Sequence, residues 1–134
     1  MRSKLEERIA ASLRDRGVGF NYESYSYDYY SRVRSGHCPS CDSTEVYQRR
    51  WYTPDFFLKN GVIVEAKGKF DPKQRARFEG LVKAHPDKDI RIVFQRDNKL
   101  KKGGDKRYSD WCEEKGVKYA IGDIPDEWTS EDDG

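Results

Sequence analysis

Apolar residues recur at helical spacing near the start of the chain. Leu5, Ile9 and Leu13 form one stripe behind Ser3-Lys4-Leu5-Glu6, which predicts an amphipathic helix closed by Gly17. Residues 20–27 alternate and predict a strand. Residues 28–50 lose the pattern. They are polar, carry Gly36, Pro39 and a cysteine pair, and read as an insertion between strands. Order returns over 52–58 and 62–67, two short apolar runs joined at Asn60-Gly61, a hairpin signature. Asp71-Pro72 supplies an N-cap with proline at the first helical position. The helix it opens runs to about His85, with Phe78, Leu81 and Val82 inward. Residues 90–94 predict a buried strand and 95–106 a basic, glycine-containing loop. Tyr108 to Lys115 predicts a short helix around Trp111, closed by Gly116, and 117–121 a last strand. Pro125 and Trp128 fall in a terminal segment. This order predicts an α/β domain, with a mixed central sheet and helices on its faces.

The hairpin decides what its polar residues can do. A two-residue Asn60-Gly61 loop sets Asp55 opposite Ala66, and Asp55 and Glu65 then face opposite sides of the sheet. A three-residue loop with Gly61 left-handed sets Leu58 opposite Val62 and Asp55 opposite Glu65. Asp55, Phe57, Ile63, Glu65 and Lys67 then share one face, and Phe56, Leu58, Val62, Val64 and Ala66 share the other, a core face. The second register is expected, because a one-residue slip separates the acids. A bulge near Asp55 is the one device that would rescue the first.

That register gives Tyr52-Thr53-Pro54-Asp55-Phe56 and Val64-Glu65-Ala66-Lys67-Gly68 a chemistry. Two carboxylates and one amine meet at the ends of neighbouring strands. Paired acids hold a hard divalent cation through oxygen. Such a cation activates water and absorbs charge on a phosphate, and a lysine beside it orients the water or steadies the phosphate. Each residue also has a plainer role open to it. Asp55 after proline suits a strand-end turn. Glu65 and Lys67 suit an exposed ion pair. Glu6, three residues after Ser3, completes a capping box.

At 134 residues, 35% hydrophobic and 37% charged, the chain is expected to form one domain over 1–128, with an acidic, frayed tail over 129–134. The core is modest, so a partner subunit is expected to add stability. No apolar run is long enough to span a membrane and no signal segment is evident. A soluble, cytoplasmic protein is expected. The net charge of +2 hides an asymmetry. Residues 123–134 carry six acids and no base, leaving the rest at +8. Lys67, Lys69, Lys73, Arg75 and Arg77 crowd one stretch; Arg96, Lys99, Lys101 and Lys102 lie in another. Each run alone reads as a solvated face. Together, flanking an acid pair, they point to a polyanion held by its phosphates.

Taken as an ordered set, these residues resemble the PD-(D/E)xK nuclease superfamily and, more closely, the phage endonuclease I family of Holliday junction resolvases. Its pieces are Arg2-Ser3-Lys4-Leu5-Glu6, the two runs around Asp55 and Glu65, Asn60-Gly61, His85-Pro86, Asp89-Ile90-Arg91-Ile92-Val93-Phe94 and Ile124-Pro125-Asp126-Glu127-Trp128. The resemblance implies a restriction-endonuclease-like core and a homodimer whose subunits exchange elements. It implies four-way DNA junctions as substrate, cut by paired nicks. It implies Mg²⁺ or Mn²⁺, two per site, on Asp55, Glu65, the Ala66 carbonyl and Glu6, with Lys67 catalytic. Under exchange, Glu6 would serve the partner's site. Arg2, Lys69, Lys73, Arg75, Arg77, Arg96, Lys99, Lys101 and Lys102 are the expected DNA contacts. The short N-terminus and acidic C-terminus depart from the basic extensions of relatives. Another nuclease on the same core, such as a repair nickase or restriction enzyme, and an inactive DNA-binding module remain as alternatives.

The larger departure is Gly36-His37-Cys38-Pro39-Ser40-Cys41. Cys38 and Cys41 have the spacing of half a tetrahedral zinc site. One structural zinc shared by the pairs of two chains would complete it, and a reduced, metal-free loop is the alternative. Cys112 is expected in the core.

Overall fold

The computed structural model describes residues 3–33 and 46–130. Eleven elements follow one another: α1 (Lys4–Asp15), β1 (Phe20–Tyr22), β2 (Tyr27–Val33), β3 (Val46–Tyr52), β4 (Phe56–Leu58), β5 (Val62–Lys67), α2 (Pro72–Ala84), β6 (Asp89–Phe94), α3 (Tyr108–Lys115), β7 (Tyr119–Ile121) and α4 (Asp126–Thr129). A five-stranded sheet runs β1-β4-β5-β6-β7. Its β1/β4 and β4/β5 pairs are antiparallel, while β5/β6 and β6/β7 are parallel. The sheet is therefore mixed, and α2 and α3 serve as the crossovers that parallel neighbours require.

Both faces of the sheet are covered. On one, Leu5, Ile9, Ala10 and Leu13 of α1 pack on Phe56, Leu58, Val62, Val64 and Ala66, with Trp128 of α4 in the same cluster. On the other, Phe78 and Leu81 of α2 and Trp111 and Cys112 of α3 pack on Ile63, Ile92 and Phe94 around Phe70. The face that carries Glu65 is thus as apolar around that residue as the expected core face. Asp71 caps α2 through a reciprocal capping box with Gln74, behind Pro72.

The hairpin takes the three-residue loop. Phe56 pairs with Val64 and Phe57 with Ile63, a register that sets Leu58 against Val62 and Asp55 against Glu65. Gly61 has φ +93°, open to glycine and strained for any other residue. Asn60 accepts from Val62 N–H at 3.1 Å and donates to the Trp128 carbonyl at 2.8 Å. The turn is thereby tied to the C-terminal segment.

The stretch 20–52 corrects the reading from sequence. The strand expected over 20–27 breaks after Tyr22, where Glu23 adopts φ +48° and turns the chain. Residues 27–33 and 46–52 are not irregular. They form a separate antiparallel ribbon with Tyr27 opposite Tyr52 and Tyr29 opposite Arg50. Tyr52 belongs to this ribbon, and the hairpin strand starts only at Phe56. The physical cause is a second-layer contact that short-range pattern does not carry. Tyr29 and Tyr52 are buried in the layer that Phe78 and Leu81 of α2 share with Ile63, Ile92 and Phe94 of the main sheet. At Gly80 an added Cβ would stand 2.7 Å from the Tyr29 ring, so only glycine lets the ribbon lie this close. His85 Nε2 sits 2.7 Å from the Asp28 carbonyl, and Arg77 Nε donates to the Tyr29 hydroxyl at 3.3 Å. The last strand is also shorter than expected, Tyr119–Ile121. Cys38, Cys41 and the acidic positions 131–134 lie outside the described residues, as does Arg2.

Candidate active site

Charged side chains are rarely buried unless a partner or a function holds them there. Among the described residues the buried polar or charged side chains are Glu6, Asp55, Glu65 and Arg91. Arg91 has an evident structural role. It forms a bidentate ion pair with Asp89, at 2.9 and 2.8 Å, and lies over the Trp128 ring. The other three are carboxylates gathered at one place.

Three elements bring them together. Ser3 caps α1 by accepting from Glu6 N–H at 3.1 Å. The Glu6 side chain does not complete a capping box; it accepts from the Tyr22 hydroxyl of β1. Of the two roles open to Glu6, its backbone takes the cap and its carboxylate faces the acids. Asp55 sits between Pro54 and β4, where Oδ2 accepts from Ala66 N–H at 2.8 Å. Glu65 is the fourth residue of β5 and is 2% exposed. Lys67 Nζ stands 4.0 Å from Glu65 Oε2. Lys67 is thus at the edge of ion-pair distance from one of the three buried acids.

Their ionisation reflects this. Burial, a hydrogen bond with Asp55 and the Asp55 charge hold the Glu65 carboxyl well above its usual range. Burial also raises Asp55, against the hydrogen bonds it receives from Glu65 and Ala66 N–H. Both acids are thus held above the ordinary carboxylate range by burial, Glu65 the more strongly. Tyr52 closes the site behind Glu65. Its ring lies between the Lys67 ammonium, 5.9 Å from the centroid, and the Arg77 guanidinium, 5.2 Å away. Burial and the Glu65 charge push its phenol far above the ordinary range. Its hydroxyl is buried close to Glu65 without a well-formed hydrogen bond.

The sequence reading missed Glu23. One carboxylate oxygen each from Glu6, Glu23 and Asp55 lie within 4.8 Å of one another. Glu23 N–H donates to the Asp55 carbonyl at 2.9 Å, which places its side chain beside the acids. An acid one position past a strand that pairs with the Pro-Asp strand was the available signal. It was masked because the strand was expected to continue to residue 27.

The expected basic residues separate. Lys69 is exposed in the turn after β5. Lys73 and Arg77 of α2 face a groove against the ribbon. Arg75 turns away, donates to the Phe70 carbonyl at 2.6 Å, and lines a second hollow with Lys101. Arg96 follows β6, where Gln95 N–H donates to the Lys67 carbonyl. Lys99 bridges to Arg107 across an exposed loop that also carries Lys101 and Lys102.

Buried carboxylates beside a lysine, at the end of a mixed sheet, form an all-oxygen donor set of the kind that can hold a hard divalent cation. Comparison with known proteins is specific. The profile of the phage endonuclease I family matches residues 1–133. The chain is 37% identical over 131 residues to Endonuclease I of Escherichia phage T7, covering 97% of this chain and 78% of that protein. It is 35% identical over 125 residues to Endodeoxyribonuclease 1 of Enterobacteria phage T3, covering 92% and 73%. The chain belongs to the phage endonuclease I family.

Proposed function

We propose that this endonuclease cleaves phosphodiesters of branched DNA at a divalent-metal centre built by Asp55, Glu65 and Glu6, with Lys67 as its catalytic cation. The observation that carries the reading is the burial of three carboxylates at one place, with Lys67 4.0 Å from Glu65. Buried charge of one sign is costly until a cation joins it. The donor set is all oxygen, which suits Mg²⁺ or Mn²⁺. The Glu6, Glu23 and Asp55 oxygens are close enough to share one ion, and Asp55 with Glu65 and the Ala66 carbonyl supplies a second position. A bound cation would supply Lewis acidity to water and to the phosphate oxygens.

The chain's own groups do the rest. Asp55 is held on Ala66 N–H, so its carboxylate is aimed by the hairpin register rather than by a loop. Tyr22 fixes the Glu6 carboxylate. The Lys67 ammonium stands where it can orient a water or steady a crowded phosphate oxygen. The mixed sheet, its helices and this order of acids support a PD-(D/E)xK core. Four-way junctions and a homodimer fit as well, since two sites related by a two-fold axis can nick two strands. Glu6 lies beside Glu23 and Asp55 within the one chain, and under exchange of elements the partner's Glu6 would take the same place.

Cleavage of a synthetic four-way junction and its matched linear duplex, with Mg²⁺ and with EDTA, tests the reading. Metal-dependent paired nicks near the branch point, absent from the duplex, are expected. Equal cutting of both would leave a nuclease without junction selectivity. Absence of cutting with intact binding would make the chain a DNA-binding module.

A further inference from the structure

Asp55 and Glu6 each have a neutral donor of their own. Ala66 N–H serves the first at 2.8 Å, and the Tyr22 hydroxyl serves the second. Glu65 is the most deeply buried of the three acids, 2% exposed, yet it accepts no well-formed bond from the donors beside it. Lys67 Nζ stands 4.0 Å away, beyond hydrogen-bond length. The other neighbour is the Tyr52 hydroxyl, which is buried without a partner. A buried hydroxyl with nothing to bond is costly and uncommon. We infer that Tyr52 is a positioning residue, whose hydroxyl holds the Glu65 carboxylate when the centre carries its cation. The inference rests on the divalent-metal reading of the acids and deepens it.

The ring is held from several directions. It packs edge-on against Tyr29, 6.3 Å between centroids. The Lys67 ammonium and the Arg77 guanidinium stand 5.9 and 5.2 Å from its own centroid. Tyr52 is the last residue of β3, paired with Tyr27, and only Thr53-Pro54 separates it from Asp55. Proline restricts that link. The phenol therefore reaches the acids from a fixed base. Asp55 and Glu65 both act on it, Glu65 the more strongly, and burial keeps it protonated. At this place it is a donor, not a base or a nucleophile.

A buried carboxylate that binds a cation still needs its remaining acceptor capacity met, and the outer partner that meets it orients the ligand. Water has little access to Glu65. Lys67 is committed to water or phosphate in the reading above, which leaves the phenol. Tyr29 shows the plainer case on the same face of the ribbon. It is equally buried, but its hydroxyl accepts from Arg77 Nε at 3.3 Å. A tyrosine kept only for packing has its hydroxyl paired in this way; that of Tyr52 is reserved.

Tyr52→Phe keeps the ring and deletes the hydroxyl. Electron paramagnetic resonance of free Mn²⁺ reads the centre without any cleavage. Tyr52→Phe should bind Mn²⁺ about 10–100-fold more weakly. Its melting temperature in EDTA should stay at or above that of the wild type, since the group it loses has no partner there. Tyr29→Phe should do the reverse, melting lower and binding Mn²⁺ as the wild type does. In junction cleavage, Tyr52→Phe should need more Mn²⁺ for half-maximal rate and recover most of the rate at saturation. Unchanged Mn²⁺ affinity in Tyr52→Phe would overturn the role. Equal weakening by Tyr29→Phe would overturn it too, because the effect would then belong to ribbon packing. A wild-type protein that binds no Mn²⁺ would remove the metal reading and the inference together. Wild-type binding that Glu65→Gln abolishes and Tyr52→Phe leaves intact would remove the inference alone.

Discussion

Asp55 Oδ2 accepts the Ala66 amide proton at 2.8 Å, across the hairpin and one residue past Glu65. The bond makes the acid part of the backbone ladder. Asp55→Asn keeps an acceptor for that amide and removes the charge. Thermal stability should therefore hold, while cleavage of a four-way junction in Mg²⁺ falls by about 10²–10³-fold or more. A variant that unfolds instead would show Asp55 to be structural. Melting curves and cleavage rates on one preparation separate the outcomes.

Glu65 gives the metal-free protein an acid-favouring stability. Its carboxyl is held above the usual 4.5 in the folded state, so the folded chain binds more protons than the unfolded one. The contribution is complete below about pH 4.5 and is lost as pH rises through the folded value. In EDTA, stability should decline over that window; Mg²⁺ should restore it by binding the ionised form. Glu65→Gln should flatten the profile and abolish the Mg²⁺ response. A wild-type curve that Mg²⁺ does not shift would remove the cation from this site.

Tyr22 holds Glu6 from the neighbouring strand. Tyr22→Phe should cost about 0.5–1.5 kcal/mol in urea unfolding. Activity at limiting Mg²⁺ should fall more than activity at saturation, because the acid is loosened rather than removed. Equal loss at both concentrations would argue that Glu6 takes no part in metal binding.

Gly80 lies mid-helix, where alanine would ordinarily add about 1 kcal/mol of stability. Here the new Cβ would meet the buried Tyr29 ring at 2.7 Å. Gly80→Ala should therefore destabilise, and amide exchange in β2 should rise while that in β5 and β6 stays slow. Stabilisation by this substitution would mean the ribbon does not rest on α2.

The hairpin was legible because everything that sets it is local. Asn60-Gly61 fixes the loop, and the loop fixes which residues face together. The helix starts at Ser3 and Asp71 were legible for the same reason. The ribbon and Glu23 were not. Tyr29 and Tyr52 are buried with α2, which starts twenty or more residues further along the chain, and nothing in their own neighbourhood shows it. Glu23 takes a left-handed conformation that is uncommon for residues other than glycine and that no local signal announces. The Glu6 cap and the Glu6 acid role looked like alternatives in one dimension. In three, the backbone takes one and the side chain the other.

Strands β1 and β4 are paired neighbours, Phe20 against Leu58, and Glu23 N–H clasps the Asp55 carbonyl. The described ribbon between them, β2 and β3, stands outside the five-stranded sheet, and its two ends meet that sheet at one edge. Chain can be added or lost in that excursion without disturbing the register that aligns the acids. Evolution, or a designer, therefore has a place to vary what the enzyme grips while leaving untouched how it cuts.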